Sequence, residues 1–175
     1  MSTNFVDAMY KFKTKPYDHQ LQVFKDSWNK PYYALLMEMG TGKSKVAIDT
    51  MGALFEAGEL NTALILAPKG VFDNWFQKEI PIHLPETIKK TVVRWQPNFT
   101  QKFKTEMREL ALRTSDNKDI LHILIMNIEA LSTKKGASSA LKYLELNPEN
   151  MVIVDESTTI KNRKAQRTKT IVGLG

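Results

Sequence analysis

The sequence predicts an α/β fold, a doubly wound, mostly parallel sheet flanked by helices, and three observations carry that expectation. Short, nearly continuous apolar runs alternate with longer amphipathic ones along the chain. An unbroken apolar run suits a strand covered on both faces, as in a parallel sheet between helix layers. The length of 175 residues, 42% of them hydrophobic, suits one compact core and leaves little room for a second, so residues 1–175 are expected to form a single domain.

The apolar runs Tyr33–Met37, Ala63–Ala67, Thr91–Trp95, Leu121–Met126 and Met151–Asp155 are the candidate strands. Between them, helices are expected over His19–Trp28, Lys43–Ala57, Val71–Ile80, Phe99–Arg113, Ser138–Leu146 and Arg163–Val172. Strand and helix in strict alternation imply right-handed crossovers. Phe99, Phe103, Met107 and Leu110 recur at helical spacing and form a packing stripe.

Composition removes whole classes of chemistry. With no cysteine, disulfide scaffolds, thiolate metal sites, thiol nucleophiles and iron–sulfur clusters are excluded. His19, His83 and His122 have no metal or triad spacing, and His122 lies inside an apolar strand as a core or edge histidine. No apolar run approaches the ~20 residues of a membrane span, and the start Met1-Ser2-Thr3-Asn4 lacks a signal-peptide core. A cytoplasmic protein with no membrane partner is expected, and the Asn/Lys/Thr-rich composition suits a bacterial cell or a phage-infected host. The net charge of +6 hints at an anionic partner. Most of it lies between Ser157 and Gly175, where Lys161, Arg163, Lys164, Arg167 and Lys169 meet no acidic residue. Such a run is either a solvated helix face or a phosphate-binding stripe.

The strongest chemical signal is Met37-Glu38-Met39-Gly40-Thr41-Gly42-Lys43-Ser44, between an expected strand and an expected helix. Glycines let a backbone turn its N–H groups onto a phosphate, and the next helix aims its positive end at the same anion. Lys43 would reach the β- and γ-phosphates and Ser44 would ligate Mg²⁺. Met37 stands where the usual loop opens with glycine. The second signal is the acid pair Asp155-Glu156 after the apolar run from Met151. Asp155 is the expected Mg²⁺ partner, and Glu156 is placed to polarise an attacking water. The plain alternatives are a glycine turn that merely precedes a lysine and two carboxylates capping a helix.

With both halves present, the chain resembles the first RecA-like domain of superfamily 2 helicase-like ATPases of the Swi/Snf type. Asp155-Glu156-Ser157-Thr158-Thr159-Ile160-Lys161-Asn162 resembles the family's Asp-Glu-(Ala/Gly)-His-x-Ile-Lys-Asn segment, departing from it at Ser157 and Thr158. Lys15-Pro16-Tyr17-Asp18-His19-Gln20 resembles its adenine-recognising motif. By that likeness Gln20 reads the adenine edge with an amide that both donates and accepts, and Tyr17 lies near the ring. Leu66-Ala67-Pro68-Lys69 and Met126-Asn127-Ile128-Glu129-Ala130-Leu131 are similar to motifs that track a DNA backbone. Trp75 reads as core packing rather than a base-stacking platform.

The resemblance implies an ATP-dependent DNA helicase or translocase using ATP and Mg²⁺. Met39, Gly40, Thr41, Gly42, Lys43 and Ser44 would hold the nucleotide with Tyr17 and Gln20. Lys43, Asp155 and Glu156 would serve catalysis, and Ser44 and Asp155 the metal. Lys69, Asn127, Lys161, Arg163 and Lys164 would contact DNA phosphates without reading sequence. The family continues into a second RecA-like domain with an arginine finger, and the chain is expected to be a fragment without it. Such fingers are worth roughly 10³ to 10⁵ in turnover, so hydrolysis by these residues alone should be poor. Competing readings are an ATP-responsive DNA- or protein-binding module without turnover, and another P-loop enzyme such as a small kinase.

Overall fold

A computed structural model describes residues 10–38, 40–112 and 117–155. Among the described residues four strands build the sheet: β1 (Thr62–Ala67), β2 (Lys90–Arg94), β3 (Leu121–Asn127) and β4 (Asn150–Val154). Their spatial order is β2-β3-β1-β4, and every neighbouring pair is parallel. Register pairs Ala67 with Asn127 and Leu66 with Val154, so the carboxyl ends of β1, β3 and β4 share one edge.

Four longer helices flank the sheet: α1 (Asp18–Ser27), α2 (Lys43–Glu56), α3 (Gln101–Ala111) and α4 (Lys134–Glu145). The strands alternate faces with the period of two that β geometry imposes. On one face Ala63, Ile65, Ile123 and Ile125 pack with Phe24, Ile48 and Met51 of α1 and α2. On the other, Leu64, Leu66, Leu124 and Met126 pack with Phe103, Leu110, Tyr143 and Leu144 of α3 and α4. The expected stripe is present, with Phe103 and Leu110 buried and Phe99 and Met107 packed against them. His122 is a core histidine, its Nδ1 2.6 Å from the Leu110 carbonyl.

Two expectations change. The expected Val71–Ile80 helix is three consecutive pieces, a turn at Phe72–Asn74, a π-helical turn at Trp75–Glu79 and a last turn at Ile80–His83. The expected strand Tyr33–Met37 joins no ladder among the described residues. Leu35 and Met37 pack on the core, whereas Leu36 is 94% exposed and its N–H turns back onto the Ala34 carbonyl. The apolar run makes the segment look like a strand, but apolar character does not supply a hydrogen-bonding neighbour. The expected helix Arg163–Val172 lies outside the described residues.

Candidate nucleotide site

α1 begins where Tyr17, in an extended conformation, caps it. The Tyr17 N–H donates to Gln20 Oε1 at 3.0 Å, and Gln20 Nε2 donates to the Thr41 carbonyl at 2.9 Å. Both ends of the buried amide are therefore engaged, one by its own turn and one by the phosphate turn 21 residues on. His19 joins the same carbonyl, Nε2 to oxygen at 3.1 Å, which requires the tautomer protonated at Nε2. Its ring stacks on Tyr17 with centroids 5.8 Å apart and planes 10° from parallel. Tyr17 remains 71% exposed, leaving its ring open to a flat ligand. His19 carried no assigned role in the sequence; its position directly before Gln20 was the available signal.

The phosphate turn needs its glycines. Gly40 and Gly42 have φ of 78° and 86°, a region that penalises a β-carbon. At Gly42 a β-carbon would also collide with the Gln20 amide nitrogen. Gly42 caps α2, so Lys43 and Ser44 occupy that helix's first turn, where its N–H groups point outward. The Lys43 ammonium donates to the Met37 and Glu38 carbonyls at 3.1 and 2.9 Å, and the Thr41 hydroxyl donates to the Glu38 carbonyl at 2.7 Å. Met39 lies outside the described residues.

Behind the turn sits a charged cluster that motif reading missed. Lys45 donates to Asp49 Oδ2 at 2.7 Å and to the Thr14 carbonyl at 2.9 Å, while Tyr10 donates to Asp49 Oδ1 at 3.1 Å. Lys45, Asp49 and Tyr10 are all buried, and Phe12 lies under the ammonium at 5.4 Å. The spacing Lys45 to Asp49, one helical turn, was the signal. Burial pushes the Asp49 carboxyl above the usual carboxylate range, opposed by the Lys45 and Tyr10 hydrogen bonds. Burial likewise pushes the Tyr10 phenol up, reinforced by Asp49. His83, whose Nδ1 is 2.8 Å from the Thr14 hydroxyl, is held below the ordinary imidazole value by burial and then by the Lys45 charge, with Glu79 pulling the other way. The cluster ties the segment leading into Tyr17 and Gln20 to the helix that carries Lys43 and Ser44.

Asp155 follows β4, its N–H bonded to the Leu66 carbonyl of β1 at 2.8 Å. Its Oδ2 accepts the indole N–H of Trp75 at 2.8 Å. Trp75 is buried, as core packing predicts, with this polar contact in addition. Lys69 is exposed just past β1. Asn127, at the end of β3, uses Oδ1 to accept the Ala130 N–H at 2.8 Å and so caps the 3₁₀ turn Ile128–Ser132.

The structure thus brings Tyr17, Gln20, Thr41 and Gly42 together, and sets Asp155, Lys69 and Asn127 along the strand-end edge. Among the described residues no hydrogen bond or ion pair joins the phosphate turn to Asp155. Glu156, Lys161, Arg163 and Lys164 lie outside the described residues. No helix among the described residues is long and apolar enough to cross a membrane.

Comparison with known proteins agrees with these motifs. The chain is 28% identical over 153 residues to "Probable ATP-dependent DNA helicase CHR23" of Arabidopsis thaliana, a match covering 86% of this chain and 13% of that protein. It is 25% identical over 138 residues to "ATP-dependent helicase fft2" of Schizosaccharomyces pombe (strain 972 / ATCC 24843), covering 78% of this chain and 10% of that one. The chain therefore spans about an eighth and a tenth of these relatives. Both come from eukaryotes and lend no support to the expected bacterial or phage origin. Residues 18–175 match the SNF2-related domain, from the first residue of α1 through the phosphate turn and the acid pair, and the chain belongs to that family.

Proposed function

We propose that this domain binds ATP with Mg²⁺ and forms the nucleotide-binding part of an ATP-dependent DNA helicase or translocase. One observation carries the reading: the Gln20 amide is bonded to the Thr41 carbonyl, so the adenine reader and the phosphate turn are built as one piece. A loop with two positive-φ glycines feeding a 14-residue helix suits a polyphosphate, whose charge the helix N-terminus and Lys43 would balance.

Topology supports a shared site with Asp155. α2 ends five residues before Asn61, whose N–H bonds the Glu149 carbonyl at the amino edge of the sheet. A helix of that length is about 21 Å long and β1 about 20 Å, so a helix packed along the sheet returns its N-terminus toward the strand ends. In open α/β sheets, ligands bind outside the carboxyl ends of the strands.

The donor set fits magnesium. The Ser44 hydroxyl and the Asp155 carboxylate are hard oxygen donors. A magnesium ion that arrives with nucleotide phosphates keeps several waters and needs only one or two protein oxygens. Bound there, the ion would neutralise charge between the β- and γ-phosphates. Lys43 would hold the phosphates and Ser44 and Asp155 would orient the ion. Glu156 would polarise the attacking water. Lys69 and Asn127, with Lys161, Arg163 and Lys164, would follow a DNA backbone.

Thermal unfolding with and without ATP–Mg²⁺ tests the reading. At ~100 times its dissociation constant the nucleotide should add about 2.7 kcal/mol of stability, Lys43→Ala should remove that gain, and GTP should give less. A gain that survives Lys43→Ala, or no gain at all, refutes it.

A further inference from the structure

The contact between Trp75 and Asp155 joins side chains 80 residues apart, and core packing alone does not demand it. An indole needs burial and finds it in a core; its N–H can go to any carbonyl. The fold even leaves one buried indole N–H, that of Trp95, with no partner among the described residues. Trp75 instead donates to a carboxylate oxygen, a charge-assisted bond of greater strength and directionality. The donor is 2% exposed, so water competes poorly for it.

Local structure is arranged around the bond. Trp75 opens the π-helical turn Trp75–Glu79, and its carbonyl accepts the Ile80 N–H five residues on. Single π turns of this kind are frequent at functional sites. From the opposite side, β1 fixes the Asp155 main chain through the Leu66 carbonyl. The carboxylate is thus held at its backbone and at Oδ2, while Oδ1 accepts no hydrogen bond among the described residues.

We propose that Trp75 is a positioning residue for Asp155, its indole N–H fixing one carboxylate oxygen so that the other is presented to nucleotide-bound magnesium. The inference rests on the reading of Asp155 as the magnesium partner. Hydrogen bonds that orient a metal-binding carboxylate set its affinity, and their loss typically weakens metal binding 10- to 100-fold.

The test is equilibrium binding of a fluorescent ATP analogue to the 175-residue chain, titrated with Mg²⁺ and repeated in EDTA. Trp75→Phe removes the donor along with ring volume. Trp75→3-benzothienylalanine replaces the N–H by sulfur at nearly constant shape, and so reports even if the phenylalanine variant folds poorly. Both should raise the Mg²⁺ concentration for half-maximal effect by roughly 10- to 100-fold and leave binding in EDTA unchanged. Asp155→Asn is the reference. If it loses the Mg²⁺ response while the benzothienyl variant keeps the wild-type one, Trp75 does not position Asp155. Equal weakening with and without Mg²⁺ in the benzothienyl variant also overturns the inference, since that is the mark of packing alone. An undiminished Mg²⁺ response in Asp155→Asn removes the assignment of Asp155 itself, and the role of Trp75 with it.

Discussion

Gln20 and Gly42 occupy one another's space: the Gln20 amide fills the volume that a β-carbon on Gly42 would need. The bond from that amide to the Thr41 carbonyl therefore depends on a glycine next door. Gly42→Ala meets two penalties, a φ of 86° that costs an L-residue about 1–2 kcal/mol, and expulsion of the Gln20 amide from its pocket. Urea unfolding should show at least that loss. ATP affinity should fall further than in Gln20→Ala, which removes the amide but leaves the turn intact. Wild-type ATP affinity in Gly42→Ala would contradict this coupling.

Lys45 and Asp49 form a buried pair with the Tyr10 hydroxyl as third member. Removing one partner strands a charge away from water, at a cost of about 3–5 kcal/mol, whereas replacing both with apolar groups is often nearly neutral. Lys45→Met should therefore destabilise strongly, and Lys45→Met with Asp49→Leu should recover much of the loss. Additive effects in the double variant would show that the two residues do not act as a pair.

His83 sets an acid dependence. Its folded-state pKa lies below the unfolded value of 6.5, so the unfolded chain binds the proton more tightly. Stability associated with this group is complete above about pH 6.5 and is lost as pH falls from there toward the depressed folded value. Asp49, raised in the fold, acts in the opposite sense. The clean measurement is thus the difference between wild type and His83→Gln in denaturant unfolding from pH 8 to 5. The wild type should lose more stability than the variant between pH 6.5 and 5.

Lys69 and Asn127 are expected to separate. Lys69 is exposed beyond β1, so Lys69→Ala should change stability by less than about 0.5 kcal/mol. If it meets a DNA phosphate, the slope of log affinity against log salt should flatten by roughly 0.9. Asn127→Ala removes the cap of a 3₁₀ turn and should cost about 0.5–2 kcal/mol in stability, whatever it does to DNA binding. An unaltered salt slope in Lys69→Ala would take that lysine out of the DNA path.

The sequence by itself determined β1 to β4 to within a residue at every end, because each holds an apolar run; β1 and β3 are buried almost throughout, whereas the outer strands β2 and β4 are only partly covered. It also located the phosphate turn, where glycine conformation and helix onset are local properties. Tertiary structure decided what pairing and burial require. Residues 33–37 carry a strand-like pattern yet find no ladder partner among the described residues. The π turn at Trp75 cannot be read from composition; it carries an indole whose partner, Asp155, lies 80 residues away. The Lys45–Asp49–Tyr10 cluster was visible only as a one-turn spacing. Nothing local says that a lysine and an aspartate will be dry; that follows from the segment carrying Tyr10 and Phe12 being laid across α2.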